Sequence, residues 1–123
     1  MLALDFGAAR TGVAVSDPTG TLARPLGVVE RAETEAGLDR LAELVRSEQA
    51  ERVVVGLPLT LRGERGEQAR ATEEFIEVLR LRLDVPVETF DERFTSVLAG
   101  GDDAKAAAHL LSSYLEWTNS ARR

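Results

Sequence analysis

Residues 2–7 read LALDFG, a short apolar run that closes on a carboxylate and a glycine. The run predicts a buried β-strand with Asp5 at its carboxyl end. An unpaired charge at a buried strand end costs several kcal/mol, so we expect Asp5 to be held by hydrogen bonds or to bind a cation. Residues 8–17 then predict a tight turn and a second strand. An Asp on the first strand of such a meander is typical of divalent-metal sites in nucleases and ATPases.

The rest of the chain predicts three further strands and three helices. Pro25 indicates an edge strand or a bulge in the third strand, and Thr34 is a candidate cap for the first helix. In the second helix, the inward positions are predicted to be Ala71, Phe75, Val78 and Leu79. The predicted elements after the first two strands are a strand at 21–30, a helix at 33–49, a strand at 53–55, a helix at 67–83, a strand at 85–90 and a helix at 104–117.

The resulting order is β-β-β-α-β-α-β-α. Three antiparallel strands followed by alternating helices and strands predict an α/β fold, with a mixed five-stranded sheet and helices on both faces. This is the RNase H-like arrangement, and we expect residues 1–123 to form a single domain of this kind. Functional groups in open α/β sheets gather at the strand ends, which here carry Asp5, residues 56–58 and residues 91–93.

Composition narrows the class of protein. The chain has 123 residues, is 44% hydrophobic and has no cysteine, which excludes disulfides and thiolate metal sites. It has no apolar run of about 18 residues and no leader pattern, so we expect a cytoplasmic protein with no membrane partner. The net charge of −6 argues mildly against a nucleic-acid partner. However, every basic residue except Lys105 is Arg, which suits phosphate contacts and is also common in GC-rich coding sequences.

Three carboxylates from separate elements could carry chemistry: Asp5, Glu92 and Asp103. Phosphodiester hydrolysis needs charge neutralisation and an activated water, which two divalent ions about 3.5–4 Å apart supply, and Mg²⁺ prefers oxygen ligands. Two of the acids also have a plainer interpretation, Asp103 as a helix cap and Glu92 as a surface charge, whereas for Asp5 a plain structural role is the weakest alternative. The only histidine, His109, lies within a predicted helix and is assigned no role.

Four motifs in order resemble those of the YqgF/RuvX family, and together they span nearly the whole chain. The first is DFGAARTG at 5–12 with AVSD at 14–17, the second is VGLP at 55–58 with Gly63 and Gly66 downstream, the third is DERFTS at 91–96, and the last is DAKAA at 103–107 with later apolar pairs at 110–111 and 114–115.

The resemblance implies an RNase H-like, metal-dependent nuclease that uses Mg²⁺ or Mn²⁺. Two roles are attached to the family: maturation of the 5′ end of pre-16S rRNA and resolution of Holliday junctions in DNA. By motif, Asp5, Glu92 and Asp103 would be the catalytic and metal-binding triad, and Asp91 could exchange roles with Glu92. The resemblance also implies residues that shape the backbone locally, namely Gly7, Gly12, Gly56 and Pro58. It implies four arginines that would contact substrate phosphate: Arg10, Arg62, Arg65 and Arg93. For Arg10 and Arg93, the alternative is a salt bridge to a neighbouring carboxylate.

One departure from the family concerns the segment before Asp103. The family has a longer, basic segment between its third and last motifs, whereas here only residues 97–102 separate them, with Gly100-Gly101 as a minimal connector. Other classes of protein remain as alternatives. Actin-like ATPases and sugar kinases share the first-strand Asp-x-Gly but need two such domains. A non-catalytic nucleic-acid-binding module is a further alternative, against which the three acids argue. RNA or DNA as substrate, and a monomer or a homodimer, stay open.

Overall fold

The computed structural model describes residues 1–58, 62–64, 66–91 and 103–121. Within these residues, eight elements follow one another in the predicted order. They are β1 (Leu2–Asp5), β2 (Arg10–Ser16), β3 (Ala23–Glu30), α1 (Glu35–Ser47), β4 (Val53–Leu57), α2 (Glu67–Arg82), β5 (Val87–Asp91) and α3 (Asp103–Ala121).

The five strands form one mixed sheet in the order β3-β2-β1-β4-β5. β1 pairs with β2, and β2 with β3, in antiparallel orientation, whereas β1, β4 and β5 run parallel to one another. The α/β fold predicted from the sequence is therefore confirmed. The crossover from β3 through α1 returns the chain to the middle of the sheet, where β4 lies beside β1. The continuous β-branched run of β4 is buried, as predicted for a central strand.

Side chains alternate between two apolar layers, one on each face of the sheet. Leu2 and Leu4 pack with the buried faces of α1 and α2 in one cluster. Ala3 lies on the other face, in a second cluster with α3. Helices thus cover both faces. This alternation also determines which residues at the strand ends share a face, and the functional site depends on it.

The inward face of α2 differs from the prediction. Ala71 and Val78, expected inside, are exposed, and Val78 is 44% accessible. Phe75 and Leu79 are buried as expected. The buried face also includes Thr72, whose hydroxyl donates to the carbonyl of Gln68 at 2.8 Å. Because that bond satisfies the hydroxyl, a polar residue can take the inward position, and the helix is rotated relative to the predicted apolar stripe.

Local signals for the edge strand and the first cap are confirmed. Val13 pairs with Gly27 and Ala14 with Pro25, so Leu26 is an extra residue at a bulge in the edge strand β3. At the start of α1 the Gly37 N–H donates to the Thr34 hydroxyl. Within the described residues, no helix has both the length and the apolar composition needed to cross a membrane.

The second half of α3 is anchored to the edge strand β5. The Tyr114 hydroxyl donates to the Glu88 carboxylate, and the rings of Tyr114 and Phe90 meet edge to face with centroids 5.6 Å apart. The Arg52 guanidinium lies 3.5 Å from the other oxygen of Glu88. These contacts hold the second half of α3 against β5.

Candidate active site

The predicted gathering of strand ends is confirmed for the three parallel strands. Since β1, β4 and β5 run in the same direction, their carboxyl ends lie at one edge of the sheet. Those ends are Asp5, Leu57 and Asp91, and Leu57 is the register partner of Asp91. Pro58 follows β4 directly. The edge that the sequence predicts to be functional therefore exists as one continuous rim.

Asp5 lies between two glycines. It pairs with Gly12 of β2, and because Leu4 pairs with Val55, the next residues along β1 and β4, Asp5 and Gly56, lie side by side. The alternation along β1 puts the Asp5 side chain on the face covered by α3. Neither neighbour places a side chain beside the half-buried carboxylate. Gly12 and Gly56 therefore put only backbone on either side of Asp5.

The first residue of α3 lies directly against β2. A Cβ built on Gly12 would be 1.8 Å from the carbonyl oxygen of Asp103, so the two backbones touch and only glycine fits there. Gly12 is also the strand partner of Asp5. The structure therefore brings Asp5 and Asp103 to the same face and the same end of the sheet, although they are 98 residues apart in the sequence.

Arg10 faces the same region. It lies two residues before Gly12 on β2, and its Nε is 3.3 Å from Oδ2 of Asp103. The Arg10 side chain is 62% exposed and that of Asp103 is 33% exposed. The salt bridge considered as the alternative role of Arg10 is therefore present. Asp103 also lies in the first turn of α3, where the helix dipole favours a negative charge.

Glycine is also needed in the turn between β1 and β2. A Cβ on Gly7 would lie 2.5 Å from the carbonyl oxygen of Arg10. The chain can fold back this tightly only because Gly7 has no side chain. This turn places Arg10 at the rim, five residues after Asp5.

The two neighbouring acids at the end of β5 are not equivalent. Val87 belongs to the α1/α2 cluster and Phe90 to the α3 cluster. By strand alternation, Asp91 lies on the face opposite Asp5. Glu92 lies outside the described residues. Within the described part of the chain, no group of three or more His, Cys, Asp or Glu residues could hold a metal ion, and the two triad members placed there are Asp5 and Asp103.

The predicted phosphate-binding arginines are only partly placed. Arg62 is exposed in the loop after β4. Arg65 and Arg93 lie outside the described residues, as does the connector at Gly100-Gly101. Of the two arginines that the structure describes, Arg10 is the one that lies against a candidate triad residue.

Asp17, the last residue of the first motif, has a structural role. Its carboxylate accepts hydrogen bonds from the backbone N–H groups of Thr21 and Leu22 at 2.8 and 3.0 Å, and from the Thr19 hydroxyl. These bonds stabilise the charged form and lower the pKa of Asp17 to about 2, the Thr19 hydroxyl contributing most. Asp17 therefore orders the turn between β2 and β3, at the opposite end of β2 from Arg10.

The donor chemistry at the rim fits a hard divalent cation. Asp5 and Asp103 offer carboxylate oxygens, the ligands that Mg²⁺ and Mn²⁺ prefer. They come from two different elements that the Gly12 contact holds in register. The residues present therefore fit the metal that the sequence predicts.

Comparison with solved structures defines the class of fold. The chain is similar to the structure of RuvC from Thermus thermophilus, with a TM-score of 0.58 and 17% identity over 98% of this chain and 97% of that one. It is also similar to T. thermophilus RuvC in complex with a Holliday junction substrate, with a TM-score of 0.63 and 16% identity over 98% and 96% of the two chains. At these identities the likeness shows the fold, which is RNase H-like.

Sequence comparison then gives the family. The family model described as "RuvX: Holliday junction resolvase" matches residues 1–117. The chain belongs to this family, and the resemblance seen in the four motifs is confirmed.

Several curated relatives carry the name "Putative pre-16S rRNA nuclease". One from Chloroflexus aurantiacus is 48% identical over 99 residues, 80% of this chain and 65% of the relative. One from Desulforudis audaxviator is 39% identical over 137 residues, 99% of this chain and 97% of the relative. The chain thus spans about two thirds of the length of the first. The second alignment is longer than the chain's 123 residues, so the relative has residues that this chain lacks.

Proposed function

We propose that the chain is a metal-dependent nuclease that hydrolyses phosphodiester bonds in structured nucleic acid. The observation that carries the proposal is the convergence of Asp5 and Asp103 on one face of the sheet, where the backbone of Asp103 packs against Gly12, the strand partner of Asp5. Two carboxylates in the same region of one face favour a compensating cation. Membership in the RuvX family supports the same chemistry.

Asp5, Asp103 and Glu92 would hold Mg²⁺ or Mn²⁺. When bound, the metal supplies charge neutralisation at the scissile phosphate and lowers the pKa of a water ligand. Asp5 and Asp103 orient that site from the sheet and from the helix start. We assign the third ligand to Glu92 rather than Asp91, because strand alternation puts Asp91 on the face away from Asp5.

The primary substrate that we propose is the 5′ end of pre-16S rRNA, on the basis of the names of the curated relatives. A second candidate is the four-way DNA junction. The family model's description and the RuvC complex with such a junction favour it. We place the activity in the cytoplasm, where both substrates occur in bacteria.

The test is cleavage of two matched substrates by the purified chain: an RNA spanning the mature 5′ end of 16S rRNA, and a synthetic four-way DNA junction. Each is incubated with Mg²⁺, with Mn²⁺ and with EDTA. Metal-dependent cleavage of the RNA at the mature end supports the first role, and symmetric nicking of the junction supports the second. Binding of either substrate with no cleavage under any metal would indicate a non-catalytic module.

The choice of third ligand is tested by comparing Glu92→Gln with Asp91→Asn. Both variants remove one negative charge from adjacent positions, so each is the control for the other. Loss of metal-dependent cleavage in Glu92→Gln alone supports the proposed triad. Loss in Asp91→Asn alone would assign the ligand to Asp91.

A further inference from the structure

We propose that Arg10 neutralises Asp103 while no metal is bound, and that a divalent metal displaces Arg10 from this ion pair. The guanidinium of Arg10 is then free to contact a substrate phosphate. The inference rests on the proposed function and specifies how its site changes between the metal-free and metal-bound states. It assigns Arg10 a positioning role that links metal binding to substrate binding.

The geometry gives Arg10 access to the metal's ligand. Arg10 Nε lies 3.3 Å from Asp103 Oδ2, and that same carboxylate is one of the proposed metal ligands. Arg10, Gly12 and Asp5 lie on the α3 face of the sheet, since Gly12 pairs with Asp5 and Arg10 is two residues before it. The guanidinium is thus beside the site, where it partly neutralises the Asp103 carboxylate while no metal is bound.

The ion pair is weak enough to be displaced. Arg10 is 62% exposed, and ion pairs of such exposed side chains contribute little to stability because water screens them. A divalent cation on Asp103 would take over its oxygens and repel a guanidinium a few ångströms away. The cross-strand partner of Arg10 is Glu30 on β3, and this second carboxylate would keep the released side chain near the rim.

Release would give the guanidinium a second role. Arg is suited to contact phosphate with two N–H groups at once. From its place two residues along β2 from the Asp5–Gly12 pair, Arg10 could reach a phosphate next to the one at the metal. Metal binding would then add a phosphate contact that the metal-free chain lacks.

A purely structural salt bridge, one that only fastens α3 to β2, makes different predictions. Removing such a bridge would loosen Asp103 and weaken metal binding or leave it unchanged. Removing a competing counter-cation would strengthen metal binding. The sign of the change in metal affinity therefore separates the two roles.

The experiment is calorimetric titration of Mn²⁺ into the wild-type chain, Arg10→Gln and Arg24→Gln. Arg24 is a matched control, because it forms an ion pair with Glu48 at 3.4 Å and is 63% exposed, on the same sheet but away from the rim. We expect Arg10→Gln to bind Mn²⁺ roughly three- to tenfold more tightly than wild type, and Arg24→Gln to match wild type. Circular dichroism confirms that each variant is folded.

A second measurement tests the phosphate contact. Binding of a four-way DNA junction is titrated against salt in the presence of Ca²⁺. Loss of one phosphate contact should lower the slope of log affinity against log salt by roughly 0.9 in Arg10→Gln, with no change in Arg24→Gln.

The outcomes distinguish this inference from the proposed function. Mn²⁺ binding by wild type with equal or weaker binding by Arg10→Gln overturns the inference and leaves the metal centre standing. A slope of log affinity against log salt that is the same in wild type and Arg10→Gln overturns the proposed contact of Arg10 with substrate phosphate. No Mn²⁺ binding by wild type overturns the metal centre and the inference together.

Discussion

Gly12 and Asp103 are in backbone contact: a Cβ on Gly12 would lie 1.8 Å from the Asp103 carbonyl oxygen. This contact positions the first turn of α3 over the strand pair that presents Asp5. It is the link through which the fold places one candidate ligand beside another.

Replacing Gly12 with Ala should therefore displace the start of α3. We expect a loss of about 1–3 kcal/mol in the free energy of unfolding, the usual cost of overpacking, and a marked loss of Mn²⁺ affinity because Asp103 moves. Gly27→Ala is the control, since no described atom lies within 4 Å of a Cβ built there. Urea unfolding and Mn²⁺ titration measure both effects. Wild-type behaviour of Gly12→Ala would show that α3 is not positioned by this contact.

Thr11 gives a prediction about stability alone. It is fully buried, and within the described part of the chain its hydroxyl has no hydrogen-bond partner. A buried hydroxyl without a partner is costly, so Thr11→Val should raise the free energy of unfolding by about 1 kcal/mol. Thr72→Val should give no such gain, because the Thr72 hydroxyl is already bonded to Gln68. A loss of stability in Thr11→Val on urea unfolding would mean that the hydroxyl is satisfied in solution.

Asp17 gives a prediction about pH. Its pKa is lowered from 3.8 to about 2 by the Thr19 hydroxyl and the Leu22 and Thr21 N–H groups. A lowered folded-state pKa means that the stabilisation is complete above pH 3.8 and is lost as the pH falls through about 2. Asp17→Asn should thus be less stable than wild type at pH 7, with a difference that shrinks between pH 4 and pH 2.

Thermal unfolding of wild type and Asp17→Asn across this range measures the difference. Asp84→Asn, an exposed carboxylate before β5, serves as control. A difference between wild type and Asp17→Asn that stays constant down to pH 2 would contradict the assigned role of the Asp17 carboxylate.

The sequence was sufficient for the order of elements and for the strand ends. Alternation and β-branched runs mark β1 and β4, and the Thr34 cap and the Pro25 bulge are local signals that the structure confirms. These features depend on neighbouring residues in the chain, which a single sequence shows directly.

The features that were misassigned or missed from the sequence depend on contacts between residues that are far apart in the chain. Val78 was predicted inside because its apolar character fits a helical stripe, but the internal hydrogen bond of Thr72 allows a different face of α2 to be buried. The motif identifies Gly12, yet its contact with Asp103 joins opposite ends of the chain. The assignment of Asp91 to the opposite face needed the observed partners of Val87 and Phe90.

The most direct test of the central claim, that Asp5 helps to hold a catalytic metal, is metal-dependent cleavage by Asp5→Asn. The variant keeps the shape of the side chain but removes its charge and one ligand oxygen. Asp84→Asn makes the same chemical change at an exposed position outside the rim. We expect that wild type and Asp84→Asn cleave the RNA or the junction with Mn²⁺, and that Asp5→Asn is folded but inactive. Undiminished cleavage by Asp5→Asn would contradict it.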